Sequence, residues 1–264
     1  MEVKILSLDG KEIGKRNLPS QFNEDVRPDL IKRAVLAIQS HKRQPYGAKP
    51  EAGKRSSVEI SRRRHNYRGS YGIGISRVPR KIMNRRGTRM SWVGAFAPGT
   101  VGGRRAHPPK ADRIWWQDLN KKERRKAIRS AISATFAIRK ENAPKNYPFI
   151  VADKIEDISK TKSVRETLES LGFEAELRRA EKKIIRAGKG KSRGRKYKKK
   201  KSLLMVVSKD CKLIKGARNL PGIDIVEVKN INAELLAPGC VPGRLTVWSN
   251  AAIELMEKEK LFME

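Results

Sequence analysis

Long apolar runs, cysteine and acidic side chains are all scarce in this sequence, and each shortage excludes something. No apolar run exceeds five residues, Leu203 to Val207 being one of that length, whereas a helix needs about 20 to span a bilayer. The first apolar stretch is short and flanked by Glu2 and Asp9, which does not read as a signal peptide. Cys211 and Cys240 are the only cysteines, and no Cys-x-x-Cys pair occurs. Two reduced, partly buried thiols are expected, not a metal or redox centre. The three histidines, His41, His65 and His107, have no Asp, Glu or Cys spaced to complete a metal site or a triad. Backbone or phosphate contact is their expected use.

What is abundant is positive charge. Against 28 acids stand 61 Lys and Arg, giving a net charge of +33 over 264 residues and a pI near 10.6. Such a charge repels itself in a compact chain unless a polyanion neutralises it. Nucleic acid is the obvious polyanion. An anionic membrane surface is the rival, but the basic segments are rich in Gly and Pro and lack the apolar helical face that interfacial binding requires.

The charge is concentrated. Residues 41–110 hold 18 Lys/Arg against Glu51 and Glu59, and residues 182–201 hold 12 Lys/Arg and no acid. Residues 203–264 hold eight of each sign. The chain therefore reads as a near-neutral body, residues 1–44 and 111–264, with a basic loop at 45–110 and a basic insertion at 182–201.

The body shows α/β grammar. Val3–Ser7 reads as a strand with a turn at Asp9-Gly10, and Pro28 opens a helix with Leu30, Ile31, Ala34, Val35 and Ile38 on one face. Asn120 and Glu123 have capping-box spacing ahead of a stripe at Ile128, Ile132 and Phe136, and Ser163 with Glu166 repeats the signature before Gly172. Phe149–Ala152, Leu203–Val207, Ile223–Val228 and Leu245–Trp248 are strand candidates, and Asn250 is placed to cap a last helix. This alternation predicts a mainly parallel sheet with helices on both faces.

Residues 45–110 break that grammar, with six prolines, ten glycines and no apolar periodicity. A structureless insert of this length is normally functional or disordered. Tyr46, Tyr67, Tyr71, Trp92 and Phe96 favour an extended arm between RNA helices over a solvated linker. Rings of this kind stack on unpaired bases for about 1–3 kcal/mol each. Trp115-Trp116, where the arm rejoins the body, reads as packing against the body. The candidate RNA ligands in the loop are Lys54, Arg55, Arg62, Arg63, Arg64, Arg80, Lys81, Arg85, Arg86, Arg89, Trp92, Arg104, Arg105 and His107. In the insertion they are Lys189, Lys191, Arg193, Arg195, Lys196 and Lys198, interleaved with Gly188, Gly190, Gly194 and Tyr197 as backbone-following phosphate contact requires.

Two glycine motifs suggest chemistry weakly. Gly190-Lys191-Ser192 ends like a phosphate-binding loop, but Ile185 stands where the first glycine belongs and no strand precedes it. Gly72-Ile73-Gly74 lacks a third glycine, Arg77 standing in its place. An RNA-processing or RNA-modifying enzyme with a basic substrate-binding arm is the alternative function, and it would need a cofactor fingerprint or an acid–base cluster. Neither is visible. A DNA-compacting protein would show basic helices or ribbons in place of a Gly/Pro-rich aromatic arm.

Four stretches carry a family likeness: RGSYGIGISRVPR (68–80), VGGRRAHPP (101–109), AGKGKSRGRKYKKKKSLLMVV (187–207) and ARNLPGIDIVEVKNINAELLAPGCVPGRLTVWSNAAIE (217–254). In these the chain resembles the universal ribosomal protein L four family of the large subunit. The basic run at 188–201 points to its archaeal and eukaryotic branch. The resemblance implies a cytoplasmic ribosomal protein with a three-layer α/β body, no enzymatic activity and no cofactor. It implies large-subunit rRNA as partner and a loop reaching the wall of the peptide exit tunnel. There the loop would lie beside the large-subunit protein L twenty-two, within reach of the nascent peptide. Matched residue by residue, the tip is Arg68, Gly69, Ser70, Tyr71, Gly72, Ile73, Gly74, Ile75, Ser76 and Arg77. The family's Trp-Gly-Thr-Gly-Arg pattern is here Tyr71 to Ile75.

Overall fold

The structure, a computed structural model, describes residues 1–66, 69–87, 89–138 and 141–263. Tyr67 and Arg68, both singled out above, lie outside the described residues. The chain forms two compact units, one of residues 1–42 with 116–264 and one of residues 43–115.

The first unit is built on a six-stranded sheet. Its strands are β1 (Glu2–Leu6), β2 (Glu12–Asn17), β5 (Phe149–Val151), β8 (Leu204–Val207), β9 (Asp224–Glu227) and β10 (Thr246–Ser249), in the spatial order β2-β1-β5-β10-β8-β9. All neighbours run parallel except β1 and β2, a hairpin at the edge. Every residue of β5, β8 and β10 is buried, so both faces of the sheet centre are covered, as parallel sheets require. Helices α1 (Pro28–His41), α2 (Lys121–Ala137) and α6 (Ala233–Leu236) pack together, and α3 (Thr161–Ser170) packs on α5 (Lys212–Ala217). Helices α4 (Glu174–Glu181) and α7 (Asn250–Lys258) complete the set. Trp248 is fully buried, with Phe22 edge-on at 5.2 Å between ring centroids. Burial also pushes the Tyr147 hydroxyl up, keeping it protonated to donate to Thr135 O at 2.7 Å.

The expected parallel α/β sheet is present, but three capping assignments fail. Asn120 precedes α2 without a side-chain cap, and Glu123 pairs instead with Arg33 at 2.7 Å. Helix α3 starts two residues before Ser163, whose carbonyl accepts from Thr167 Oγ1 within the helix. Gly172 does end the run, at φ +87°. The cap of α7 is Ser249, which accepts from Ala252 N, while Asn250 is taken up by Arg16 at 2.7 Å. Hydroxyl, amide and carboxylate groups near a helix start compete for the same donors, and tertiary partners decide among them.

The second unit is not structureless. It holds an antiparallel hairpin of β3 (Arg80–Arg86) and β4 (Arg89–Gly94), with a register shift between Ile82 and Asn84. That shift moves side chains between faces and erases the two-residue alternation a strand shows in sequence.

Candidate nucleic-acid interface

Two backbone approaches hold the limbs of the 43–115 unit side by side. At one end Ala48 N donates to Pro109 O at 2.9 Å, and a Cβ on Gly47 would stand 2.6 Å from Ala111 N. Further along, a Cβ on Gly53 would meet Gly103 O at 2.5 Å and Arg104 N at 2.6 Å, and Gly53 lies at φ +74°. Only glycine allows both the conformation and the approach. The bridge between Glu59 and Arg80 and the bond from Ala95 N to Pro79 O continue the contact into the hairpin.

This framework has little interior, so its cations face outward. Lys54, Arg55, Arg62, Arg63, Arg64, Arg85, Arg86, Arg89, Arg105 and His107 are exposed, while Arg80, Lys81, Trp92 and Arg104 are half-buried. Arg80 donates to Ser76 O at 2.6 Å and to Val78 O at 3.2 Å, and its guanidinium lies 5.4 Å from the Trp92 ring centre. It braces the turn as much as it offers charge. The unit holds 18 Lys/Arg against Glu51, Glu59 and Asp112, so its acids can neutralise only a small part of its charge.

The tip residues form a slim turn. Gly72 and Gly74 sit at φ +79° and +69° with open space where a Cβ would go. Tyr71, Ile73, Ser76 and Arg77 are exposed, Ile75 is half-buried and Ser70 is buried. Gly69 bridges to Ser61, and its N–H donates to Asn66 O at 3.0 Å. The Arg77 guanidinium covers the Tyr71 ring at 4.8 Å.

The second basic segment is a ribbon of β6 (Ile184–Ile185) and β7 (Tyr197–Lys198), extended by Arg186 N to Lys196 O at 2.8 Å. Gly188 and Gly194, both at positive φ, shape its turn. Lys189, Lys191, Arg193, Arg195, Lys196 and Lys198 are all exposed. Contrary to expectation a short strand, β6, does precede Gly190-Lys191-Ser192, but the motif lies in this turn and opens no helix. The context of a phosphate-binding loop is absent there.

The ribbon is anchored at its root. Lys201 Nζ reaches both oxygens of Asp224 at 2.7 and 2.9 Å, and Asp224 also pairs with the buried Arg244. Arg244 donates to the carbonyls of Ser202, Leu203 and Leu235 as well. The anchored base thus carries a ribbon whose six candidate cations are all exposed.

Two features lie outside what the sequence led one to expect. Five of the six residues 121–126 are basic, and Lys121, Lys122 and Arg124 are exposed at the start of α2. Cations at a helix N-terminus oppose its dipole, so the helix itself gives no reason for their placement. The second feature is the use of the paired tryptophans. Trp116 stacks on His41 at 5.7 Å, within the first unit, and Gln117 N donates to Ser40 Oγ. Trp115, expected to pack on the body, belongs instead to the 43–115 unit and stacks on Tyr46 at 5.7 Å, 18° from parallel.

Among the described residues, no three of His, Cys, Asp and Glu converge on a point that could hold a metal ion, and no helix is long and apolar enough to cross a membrane. Cys211 and Cys240 are free thiols, and burial pushes the Cys211 thiol up, which keeps it protonated and unreactive.

A family model described as ribosomal protein L4/L1 family matches residues 16–259. The large ribosomal subunit protein uL4 of Nanoarchaeum equitans is 50% identical, with 99% of this chain and 100% of that one aligned. The proteins of the same name from Archaeoglobus fulgidus and Methanopyrus kandleri are 47% and 43% identical, with 97% and 98% of this chain covered and 98% of each of theirs. The chain belongs to the ribosomal protein L4/L1 family.

Proposed function

We propose that the protein is a non-catalytic constituent of the large ribosomal subunit that binds large-subunit rRNA through residues 43–115, the ribbon at 182–201 and the start of α2. The observation that carries this reading is the segregation of charge. Most of the +33 excess lies in two glycine-rich segments whose described cations are mostly exposed on narrow backbone frameworks. Such segments follow a phosphate backbone into spaces that a folded body cannot enter.

The finer placement rests on family likeness and the shape of the tip. Residues 69–77 are slim, turned by Gly72 and Gly74, and poorer in charge than the limbs beside them. We assign them to the wall of the peptide exit tunnel, beside the large-subunit protein L twenty-two and within reach of the nascent peptide. Working location is then the ribosome, in the cytoplasm.

Cosedimentation tests the assignment. The protein should remain with large subunits through a high-salt wash and be absent from small subunits. Purified protein should bind an rRNA fragment with a steep salt dependence. Replacing Arg62, Arg63 and Arg64 with Gln should flatten the log–log slope by roughly 0.7–0.9 for each phosphate no longer neutralised. An unchanged slope would remove those residues from the interface, and dissociation from subunits in the wash would remove the structural role.

A further inference from the structure

We propose that Tyr46 and Trp115 form a stacking site for one unpaired RNA nucleotide, in a cleft where the two limbs of the 43–115 unit meet. The proposal rests on the RNA-binding reading above and adds a defined recognition point to what is otherwise a charged surface.

The rings here are arranged unlike those of the protein's core. Core rings such as Phe22, Trp248, Phe149 and Phe173 pack on one another and are buried. Tyr46 and Trp115 lie nearly parallel, yet Tyr46 remains 49% exposed and Trp115 half-buried. A stack whose only task was to join the limbs would bury both rings. Instead the pair lines an open cleft of about 670 Å³, within the range of small-ligand sites.

The remaining walls match the other parts of a nucleotide. Arg105, Lys110 and Arg113 supply positive charge for a phosphate. Pro108 and Pro109 present stiff apolar surface suited to a ribose. Among the described residues, Asp112 is the only carboxylate lining the cleft. It disfavours a bare anion and requires a ligand that brings its own donors, as a base edge or a 2′-hydroxyl does.

The guanidinium groups nearby explain how the platform is kept without RNA. Arg43 lies 3.8 Å and Arg113 4.3 Å from the Trp115 ring centre. Both are attracted to the ring face, and both are drawn by a phosphate. An arriving nucleotide can therefore take a ring face while its phosphate takes the cation, exchanging one pairing for two. The nucleotide must be unpaired, because a stacked duplex offers its edges and keeps its base faces covered.

The test uses the full-length protein and two RNA hairpins of equal length, each closed by a non-nucleotide linker, one fully paired and one with a single bulged purine. Wild-type protein should prefer the bulged hairpin by about tenfold or more, in keeping with the strength of base–aromatic stacking. Trp115→Ala should abolish the preference, its affinity for the bulged hairpin falling to that for the paired one, while Trp115→Phe should restore most of it. If Trp115→Ala lowers the unfolding temperature, Tyr46→Ala, at an exposed ring, decides between the two readings. Among the four tryptophans, quenching on bulged RNA should be reduced in Trp115→Phe. Equal affinity of wild-type protein for both hairpins, or a preference that survives both alanine variants, would show a stack that only joins the limbs. That result leaves the RNA-binding reading intact, whereas failure to bind either hairpin at low salt overturns both.

Discussion

Arg244 Nη2 donates to Asp224 Oδ2 at 2.7 Å, from a side chain only 4% exposed. Burial holds the Arg244 pKa below its ordinary value, against the opposing charge of Asp224. For Asp224, burial works upward, but the hydrogen bonds and charges of Lys201 and Arg244 outweigh it and hold the carboxyl below the ordinary 3.8. Removing the arginine leaves Asp224 its Lys201 partner but strips the carbonyls of Ser202, Leu203 and Leu235 of a donor. Arg244→Met is expected to cost about 2–4 kcal/mol and to loosen the root of the 182–201 ribbon, read as faster tryptic cleavage at Lys198–Lys201.

The same pair sets a pH dependence. A depressed carboxylate pKa stabilises the fold above the unfolded value and loses that contribution as pH falls through the folded one. Asp224→Asn should therefore be clearly less stable than wild type at pH 7. The gap should narrow as the pH falls from the unfolded carboxylate value through the lower folded pKa of Asp224. Urea midpoints of both proteins from pH 7 down to pH 3 measure this, and a gap independent of pH would contradict it.

Glu156 is buried at the ends of β5, β8 and β10, where open α/β sheets commonly hold a ligand. Its carboxylate accepts from Ser208 N and Ser208 Oγ at 2.8 Å and from Ser249 Oγ at 2.6 Å. Glu156→Ala leaves these donors unmet and is expected to cost about 2–4 kcal/mol. Glu156→Gln, which retains an acceptor, should cost less. Equilibrium unfolding in urea ranks the two.

Gly53 is expected to control the arm and not the body. In Gly53→Val the new side chain meets the backbone of Gly103 and Arg104, which cannot move aside as a flexible side chain would. Affinity for rRNA should fall several-fold, while hydrogen exchange in β8 and β10 stays at wild-type rates. Slowed or accelerated exchange in those strands would show that the two units are energetically coupled.

Deleting residues 70–75 should leave incorporation into large subunits near normal. The charge lies along the limbs, at Arg62–Arg64 and Arg80–Arg89, and the deleted residues carry none. Chemical probing of tunnel-wall nucleotides should show altered reactivity near the tip. Failure to incorporate would mean that the turn supplies assembly energy. Unchanged reactivity along the tunnel would mean that the tip lies elsewhere.

Composition and local pattern were sufficient for the α/β body, because a buried parallel strand is a short apolar run and an amphipathic helix repeats every 3.6 residues. Leu203–Val207 and the face of Ile31, Ala34 and Val35 were legible for that reason. The segregation of positive charge was legible because charge density needs no fold to be counted. The hairpin of β3 and β4 was not, since its register shift removes the alternation that marks a strand.

What the tertiary structure alone decided are the choices among chemically equivalent neighbours. Ser249 caps α7, and Asn250 does not, because Arg16 arrives from far along the chain to claim the amide. Arg244 is buried and Arg105 exposed, although both are arginines that follow a glycine by one or two positions. Trp115 and Trp116 are adjacent in sequence, yet one stacks on Tyr46 and the other on His41. Local sequence sets what a side chain can bond to, but competition among distant partners selects which bond it makes, and that competition exists only once the chain has folded.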